Sequence, residues 1–123
     1  MPLSDSYLSL SLSSLTPVRA TSTSARSAAV TALFHLDKSG IFHFPITTAI
    51  ASTYFDVIRS PMDLSTMRAK AGRGQYKALQ ATRDDFELMC LNALTFNKTE
   101  DEYWTLARLF YNKGVALFAG FKR

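Results

Sequence analysis

The stretch from Thr82 to Tyr103 reads TRDDFELMCLNALTFNKTEDEY, and its pattern decides the fold. Apolar residues recur here every three or four positions, which is the spacing of one face of an α-helix. These residues are Phe86, Met89, Cys90, Ala93, Leu94 and Phe96. The stripe closes on Asn97, and Lys98-Thr99 interrupts it. The sequence therefore predicts a central helix with a side-chain amide at its C-terminal end, facing a short loop.

Two capping boxes predict where helices begin. Thr82 is followed three residues later by Asp85, and Thr99 is followed by Glu102. In such a box the threonine oxygen accepts a hydrogen bond from a backbone N–H in the first turn of the helix. We therefore expect the central helix to begin at Thr82, and a last helix, opened by Thr99, to run from about Asp101 to Phe121.

Two further helices are predicted upstream. Residues 24–36 show alanine and leucine at helical spacing, and Ser22 to Ser24 can supply the cap. Asp63 is placed to cap a short helix that ends at Gly72-Arg73-Gly74. Four helices joined in this order predict an all-α, antiparallel four-helix bundle.

The connection from Ile41 to Pro61 is unusually apolar for a loop. Loops normally run over the surface, and long loops are uncommon unless they are functional. We expect a short turn of helix around Ala51 to Val57 and expect the loop to fold against the bundle as a wall. Any cavity should lie where this long first loop meets the 98–100 loop.

The N-terminal residues 1–22 are rich in serine and leucine. We expect them to form a flexible tail ahead of a bundle at residues 23–123, because they lack a helical apolar face. Two alternatives stay open for this segment. The serine-rich, acid-poor composition fits a transit peptide, and the alternation from Leu8 to Leu12 fits an edge strand.

Composition excludes several classes of protein. The length of 123 residues fits one domain, and the single cysteine, Cys90, excludes a disulfide framework and favours a reducing compartment. No apolar run reaches the roughly 20 residues that span a bilayer. His35 and His43 have no partners at metal-ligand spacing. Cys90 lies within the apolar stripe, so we expect a buried, inert thiol. The sequence predicts no enzyme activity, no metal and no cofactor.

Asn97 is the strongest candidate for a functional residue. Asparagine often does no more than end a helix, so Asn97 by itself is better explained as a cap. Its predicted place at the mouth of an apolar groove favours a role in binding a ligand. A carboxamide there suits a neutral ligand that presents one hydrogen-bond acceptor on a hydrophobic stem.

Two segments resemble the bromodomain, a family of acetyl-lysine readers. YFDVIRSPMDLSTM, Tyr54 to Met67, is similar to the family's loop and short helix, with Pro61-Met62-Asp63 as its most specific mark. DFELMCLNALTFN, Asp85 to Asn97, is similar to the signature that ends in the recognition asparagine. The resemblance covers about residues 24–121. It implies a left-handed four-helix bundle with a long first interhelical loop.

The resemblance also implies roles for individual residues. Asn97 would donate to the acetyl carbonyl, and Tyr54 would reach the acetyl oxygen through an ordered water. Tyr103 would be the gatekeeper at the mouth. The remaining predicted lining residues are Phe42, Ile46, Ala51 and Phe96.

The chain departs from the family at two places. Gly40-Ile41-Phe42 stands where Trp-Pro-Phe is frequent, so only the phenylalanine of that shelf is kept. Phe96 stands where a tyrosine usually precedes the recognition asparagine, which removes a hydroxyl. We expect the mouth of the pocket to be more open as a result.

The resemblance implies acetylated lysine peptides, such as those of histone tails, as partners of a monomeric nuclear protein. Moving an unpaired lysine ammonium into an apolar slot costs several kcal/mol, and we expect no acid in the wall to pair with it. Two other functions stay open. An apolar groove could bind a partner helix, and the formal net charge of +4 makes nucleic acid at most a secondary partner.

Overall fold

The computed structural model describes residues 21–47 and 51–121. The residues in these two ranges form five helices: α1 (Thr21–Leu36), α2 (Tyr54–Val57), α3 (Leu64–Gly72), α4 (Leu79–Phe96) and α5 (Glu102–Ala119). The four longer helices form the predicted antiparallel bundle, and α2 lies within the long first loop. No helix in the described part of the chain combines the length and the apolar character needed to cross a membrane. The prediction for residues 1–20 lies outside the described residues, so the division at residue 22 stays a prediction.

The predicted start of α3 is confirmed, but the predicted start of α4 was wrong. Asp63 caps α3, because its Oδ2 accepts a hydrogen bond from the Thr66 backbone N–H at 3.1 Å. Helix α4 begins at Leu79, with Ala78 as the extended residue before it, so Thr82 lies one turn inside the helix. Thr82 is fully buried, and its hydroxyl oxygen has no hydrogen-bond partner within the described ranges. Packing of this first turn against the core therefore outweighs the local capping signal.

The other two helix starts also differ from the prediction. Asp101, and not Thr99, caps α5: its Oδ1 accepts a hydrogen bond from the Tyr103 backbone N–H at 2.8 Å. A carboxylate at this end of a helix also interacts favourably with the helix dipole, which a threonine hydroxyl does not. Helix α1 begins at Thr21, so Ser22 to Ser24 lie within it.

The core is organised around the Phe86 ring of α4, which is fully buried. It meets Phe110 edge-on with ring centroids 5.6 Å apart, and it contacts the ring of Phe118 at 5.4 Å. Gly114 of α5 lies directly against this ring, since a Cβ at Gly114 would come within 2.1 Å of the Phe86 Cζ atom. The absence of a side chain at Gly114 therefore lets α4 and α5 pack closely.

A polar cluster ties α3 to the N-terminal half of α4. The Asp85 Oδ2 atom lies 2.6 Å from the Lys70 Nζ atom and accepts a hydrogen bond from the Tyr76 hydroxyl at 2.7 Å. Burial raises the pKa of Tyr76 far above its ordinary value, and the hydrogen bond to Asp85 and its charge act in the same direction. Tyr76 therefore remains a donor, and Asp85 has a structural role at the end of the bundle away from Asn97.

The long first loop is held against the bundle, as predicted. The Leu64 backbone N–H donates to the Phe42 carbonyl at 2.8 Å, and that of Ser65 donates to the His43 carbonyl at 3.1 Å. Farther along, the Asn92 side-chain amide of α4 donates to the Ser60 carbonyl at 2.9 Å. These bonds attach the beginning of the loop to α3 and its end to α4.

Candidate binding pocket

A cavity of about 640 Å³ opens at the end of the bundle where the long loop meets the turn between α4 and α5. This is the place predicted from the sequence. All seven predicted site residues line it: Phe42, Ile46, Ala51, Tyr54, Phe96, Asn97 and Tyr103. The structure thus brings together residues from the loop, α2, the C-terminus of α4 and the first turn of α5.

Asn97 ends α4 in an extended backbone conformation. Its Nδ2 atom donates to the Ala93 carbonyl at 3.0 Å, so the amide is braced on its own helix and does not only face outward. An amide nitrogen carries two hydrogens, and the carbonyl oxygen is a separate acceptor. Ala93 is the one hydrogen-bond partner of this side chain within the described ranges. The second N–H and the oxygen of Asn97 are therefore available to a ligand in the cavity.

Tyr54 begins α2 and is 6% exposed. Its ring meets the ring of Phe96 edge-on at 5.0 Å, which fixes the direction of the side chain. Burial raises the pKa of Tyr54 above its ordinary value, so the hydroxyl is protonated at neutral pH. This hydroxyl has no protein hydrogen-bond partner in the described segments. It can therefore donate to a water or a ligand in the cavity.

Phe42 forms the buried part of the loop wall. Its ring is 6% exposed and stacks on Phe110 of α5, with ring centroids 4.8 Å apart and planes 25° from parallel. Ile46 and Ala51 are partly buried and lie farther along the same wall. Phe42, the one residue of the Trp-Pro-Phe shelf that this chain keeps, is thus anchored in the core by its contact with Phe110.

Two exposed aromatic side chains stand at the mouth. Tyr103 is 54% exposed and lies in the cavity lining. Phe44 is 72% exposed and also lines the cavity. Sequence reasoning missed Phe44 as a site residue. The available signal was its position beside Pro45 in an apolar loop.

Two acidic residues, Asp63 and Asp101, contribute to the cavity lining. The Asp63 carboxylate accepts hydrogen bonds from the Thr66 N–H, the Thr66 hydroxyl and the Ser65 hydroxyl. Asp101 is exposed and caps α5. The deeper carboxylate is therefore already satisfied by the N-terminus of α3, and the other faces solvent.

Cys90 and His43, the other residues considered for chemistry, pack against neighbouring side chains. Burial raises the pKa of the Cys90 thiol well above its usual range, and the negative charges of Glu87 and Asp37 add to this, so the thiol is not activated. The His43 ring stacks on Phe34 at 5.0 Å. Within the described ranges, no group of three or more histidine, cysteine, aspartate or glutamate residues could hold a metal ion.

Comparison with known proteins identifies the family. The bromodomain family model matches residues 27–109. Bromodomain-containing protein 9 of Xenopus tropicalis is 41% identical over 83 residues, which are 68% of this chain and 14% of that protein. Bromodomain-containing protein 7 of Homo sapiens is 37% identical over 83 residues, 68% of this chain and 13% of that protein. The chain therefore spans about one seventh of the length of these relatives.

Solved structures agree with the family match. The bromodomain of Leishmania donovani complexed with bromosporine is 29% identical, with a TM-score of 0.75 over 83% of this chain and 86% of that one. This similarity confirms the left-handed four-helix bundle. The chain belongs to the bromodomain family, whose members are acetyl-lysine readers.

Proposed function

We propose that this chain binds acetylated lysine in peptides, with the acetyl group in the cavity and its carbonyl oxygen on Asn97. The observation that carries the proposal is the composition of the cavity. Apolar side chains dominate it, while the Asn97 amide and the Tyr54 hydroxyl each keep a donor without a protein partner in the described segments. One donor contacts the acetyl oxygen directly, and the other reaches it through an ordered water.

The same cavity discriminates against unmodified lysine. An ammonium that enters an apolar site loses its hydration, which costs several kcal/mol unless a free acid pairs with it. The oxygens of Asp63 are already occupied by three hydrogen bonds, so that carboxylate is poorly placed to compensate. Acetylation removes the charge and leaves one acceptor, which Asn97 can satisfy. Acetylation is therefore the property that the site selects.

Most of the affinity comes from burying the lysine stem and the acetyl methyl. A single hydrogen bond contributes only about 0.5–1.5 kcal/mol net, whereas burial of apolar area contributes about 25 cal/mol per Å². The cavity is open to solvent at Tyr103 and Phe44, so part of the stem stays exposed. We expect a dissociation constant on the order of micromolar to millimolar for one acetylated lysine.

Histone tails in the nucleus are the proposed source of the acetylated lysine. Glu100, Asp101 and Glu102 are exposed at the rim, and acids there favour the approach of a basic peptide. In this role the chain acts as a monomer and carries out no catalytic step. Nucleic acid is at most a secondary partner, because the net charge is only +4.

The proposal is tested by titrating two histone-tail peptides of identical sequence, one with acetylated lysines and one without. Calorimetry should give at least about tenfold weaker binding of the unmodified peptide, because its ammonium must lose water. Equal binding of both peptides would refute the proposal and favour a helix-binding groove. Binding that falls steeply with salt and ignores acetylation would instead favour nucleic acid as the partner.

Tyr103→Ala should weaken binding of the acetylated peptide by about 1 kcal/mol, roughly fivefold, because the ring supplies contact area at the mouth. The preference for acetylation should persist, since the polar discrimination lies deeper, at Asn97. Leu109→Ala is the matched control, because Leu109 is 50% exposed on the same helix and lies outside the cavity lining. Comparable binding of unmodified peptide by Tyr103→Ala would contradict this division of roles.

A further inference from the structure

Asp37 is a buried carboxylate at the junction of α1 and the long loop, and it is only 4% exposed. Its Oδ2 accepts a hydrogen bond from the Phe42 backbone N–H at 2.8 Å, and its Oδ1 accepts one from the Ser39 hydroxyl at 3.3 Å. It forms no ion pair with a basic side chain in the described part of the chain. Burying a charge without a counter-ion is unfavourable. The two hydrogen bonds therefore stabilise the Asp37 side chain in its buried position.

The backbone turns around this carboxylate. The Gly40 N–H donates to the Asp37 carbonyl at 3.1 Å, and the His43 N–H donates to the Gly40 carbonyl at 3.2 Å. Gly40 has a φ of 76°, a left-handed conformation that glycine adopts without strain. This turn brings the Phe42 N–H, five residues along the chain, back onto the Asp37 side chain.

Phe42 is consequently fixed at three points. Asp37 accepts from its N–H, the Leu64 N–H donates to its carbonyl at 2.8 Å, and its ring stacks on Phe110 at 4.8 Å. Of these three contacts, the one to the Phe42 N–H is made by the Asp37 side chain, so a substitution at Asp37 can remove it. Phe42 lines the cavity, and Asp37 does not.

We propose that Asp37 is a positioning residue for acyl-lysine binding, acting through Phe42 without touching the ligand. A charge-assisted hydrogen bond is roughly twice as strong as a neutral one, so the carboxylate holds the Phe42 backbone firmly where the chain leaves α1. Ile41 to Ile46 follow from that point and supply much of the loop wall. This inference rests on the proposed function, because positioning matters for binding only if the cavity binds the acyl group.

The test compares three variants for affinity toward one acetylated histone-tail peptide, for thermal midpoint and for amide exchange at Phe42. Asp37→Ala removes the acceptor. Asp37→Asn keeps a carbonyl oxygen for the Phe42 N–H while removing the charge. Asp85→Ala is the control for loss of a hydrogen-bonded aspartate elsewhere. Asp85 lies twelve residues before Asn97 on α4, about 18 Å along the helix axis.

Asp37→Ala is expected to bind the acetylated peptide roughly tenfold more weakly and to lose exchange protection at the Phe42 amide. Asp37→Asn should recover part of both properties, because it keeps an acceptor for the Phe42 N–H but forms the weaker, neutral hydrogen bond. Asp85→Ala should lower the thermal midpoint and leave affinity within about twofold, because it breaks only the cluster with Lys70 and Tyr76. Asp37→Ala affinity within twofold of the wild type, or an equal loss in Asp85→Ala, would overturn the proposal.

Two further outcomes separate this inference from the proposed function. If the wild type fails to bind the acetylated peptide, the proposed function falls, and the role of Asp37 in binding falls with it. If the wild type binds but its Phe42 amide exchanges as fast as exposed loop amides, only the positioning role falls. Because this exchange measurement uses the wild-type chain alone, it tests the positioning role even if Asp37→Ala does not fold.

Discussion

Asn97→Ala is expected to reduce binding of an acetylated peptide by about 2 kcal/mol or more, roughly thirtyfold, which abolishes detectable binding of a weak ligand. Without the amide, the acetyl carbonyl would be buried with no direct protein donor. An unsatisfied buried acceptor costs about 1–3 kcal/mol, more than the net value of the bond itself. Calorimetry with a multiply acetylated histone-tail peptide measures the loss.

The fold should survive this substitution. The backbone N–H of Asn97 keeps its hydrogen bond to the Ala93 carbonyl at 3.0 Å, and the extended backbone at residue 97 is open to alanine. Only the side-chain bond to Ala93 is lost. We therefore expect a thermal midpoint lower by no more than a few degrees, corresponding to roughly 1 kcal/mol or less.

Two controls sharpen the result. Asn97→Asp has nearly the same shape but replaces the donor with an acceptor, so it should bind as poorly as Asn97→Ala. Asn112→Ala removes an exposed asparagine of α5 and should bind as the wild type does. Undiminished affinity in Asn97→Ala or Asn97→Asp would remove Asn97 from the proposed recognition role.

Gly114→Ala should cause the largest loss of stability, about 3 kcal/mol. The new Cβ would lie 2.1 Å from the Cζ atom and 2.3 Å from the Cε1 atom of Phe86. The Phe86 ring cannot easily withdraw, because it is fully buried and packed against Phe110 and Phe118. The helix propensity gained by alanine, about 1 kcal/mol, is too small to offset the clash.

Thermal unfolding measures this effect, and a domain of this size should lose roughly 10–15 °C in midpoint. Gly72→Ala is the matched control, since Gly72 ends α3 and a Cβ there would meet no atom within 4 Å. The control should be neutral or slightly stabilising, by about 0.4–1 kcal/mol. A midpoint for Gly114→Ala equal to that of Gly72→Ala would mean that α4 and α5 separate at little cost.

Local sequence patterns predicted the helices better than they predicted the helix ends. Asp63 was correctly identified as a cap, because its own backbone is extended and its carboxylate accepts a hydrogen bond from the Thr66 N–H. Thr82 carries the same local signal, yet it lies inside α4 and is fully buried. A capping box reflects only the hydrogen bonds that neighbouring residues can form with each other. The packing of Leu79 and Thr82 against the rest of the bundle decided where α4 begins.

The site residues also divide into those that local sequence patterns could place and those that depend on the tertiary fold. Asn97 and Tyr103 could be placed at one end of the bundle from the helix that ends and the helix that begins there. Phe42 and Tyr54 were assigned through the family resemblance, and their positions in the cavity depend on how the loop folds back. The exposure of Phe44 and the presence of Asp63 in the lining were not predictable, because both depend on the path of the loop.

The sequence by itself determined that four apolar stripes at helical spacing would form an α-helical bundle, and that an amide would end the central helix. It did so because helical periodicity and residue type act over a few neighbouring residues. The tertiary structure alone decided the position of Phe42, through the Asp37 carboxylate, the Leu64 N–H and the Phe110 ring. Leu64 and Phe110 are far from Phe42 in the chain, and contacts of that kind exist only once the helices have packed.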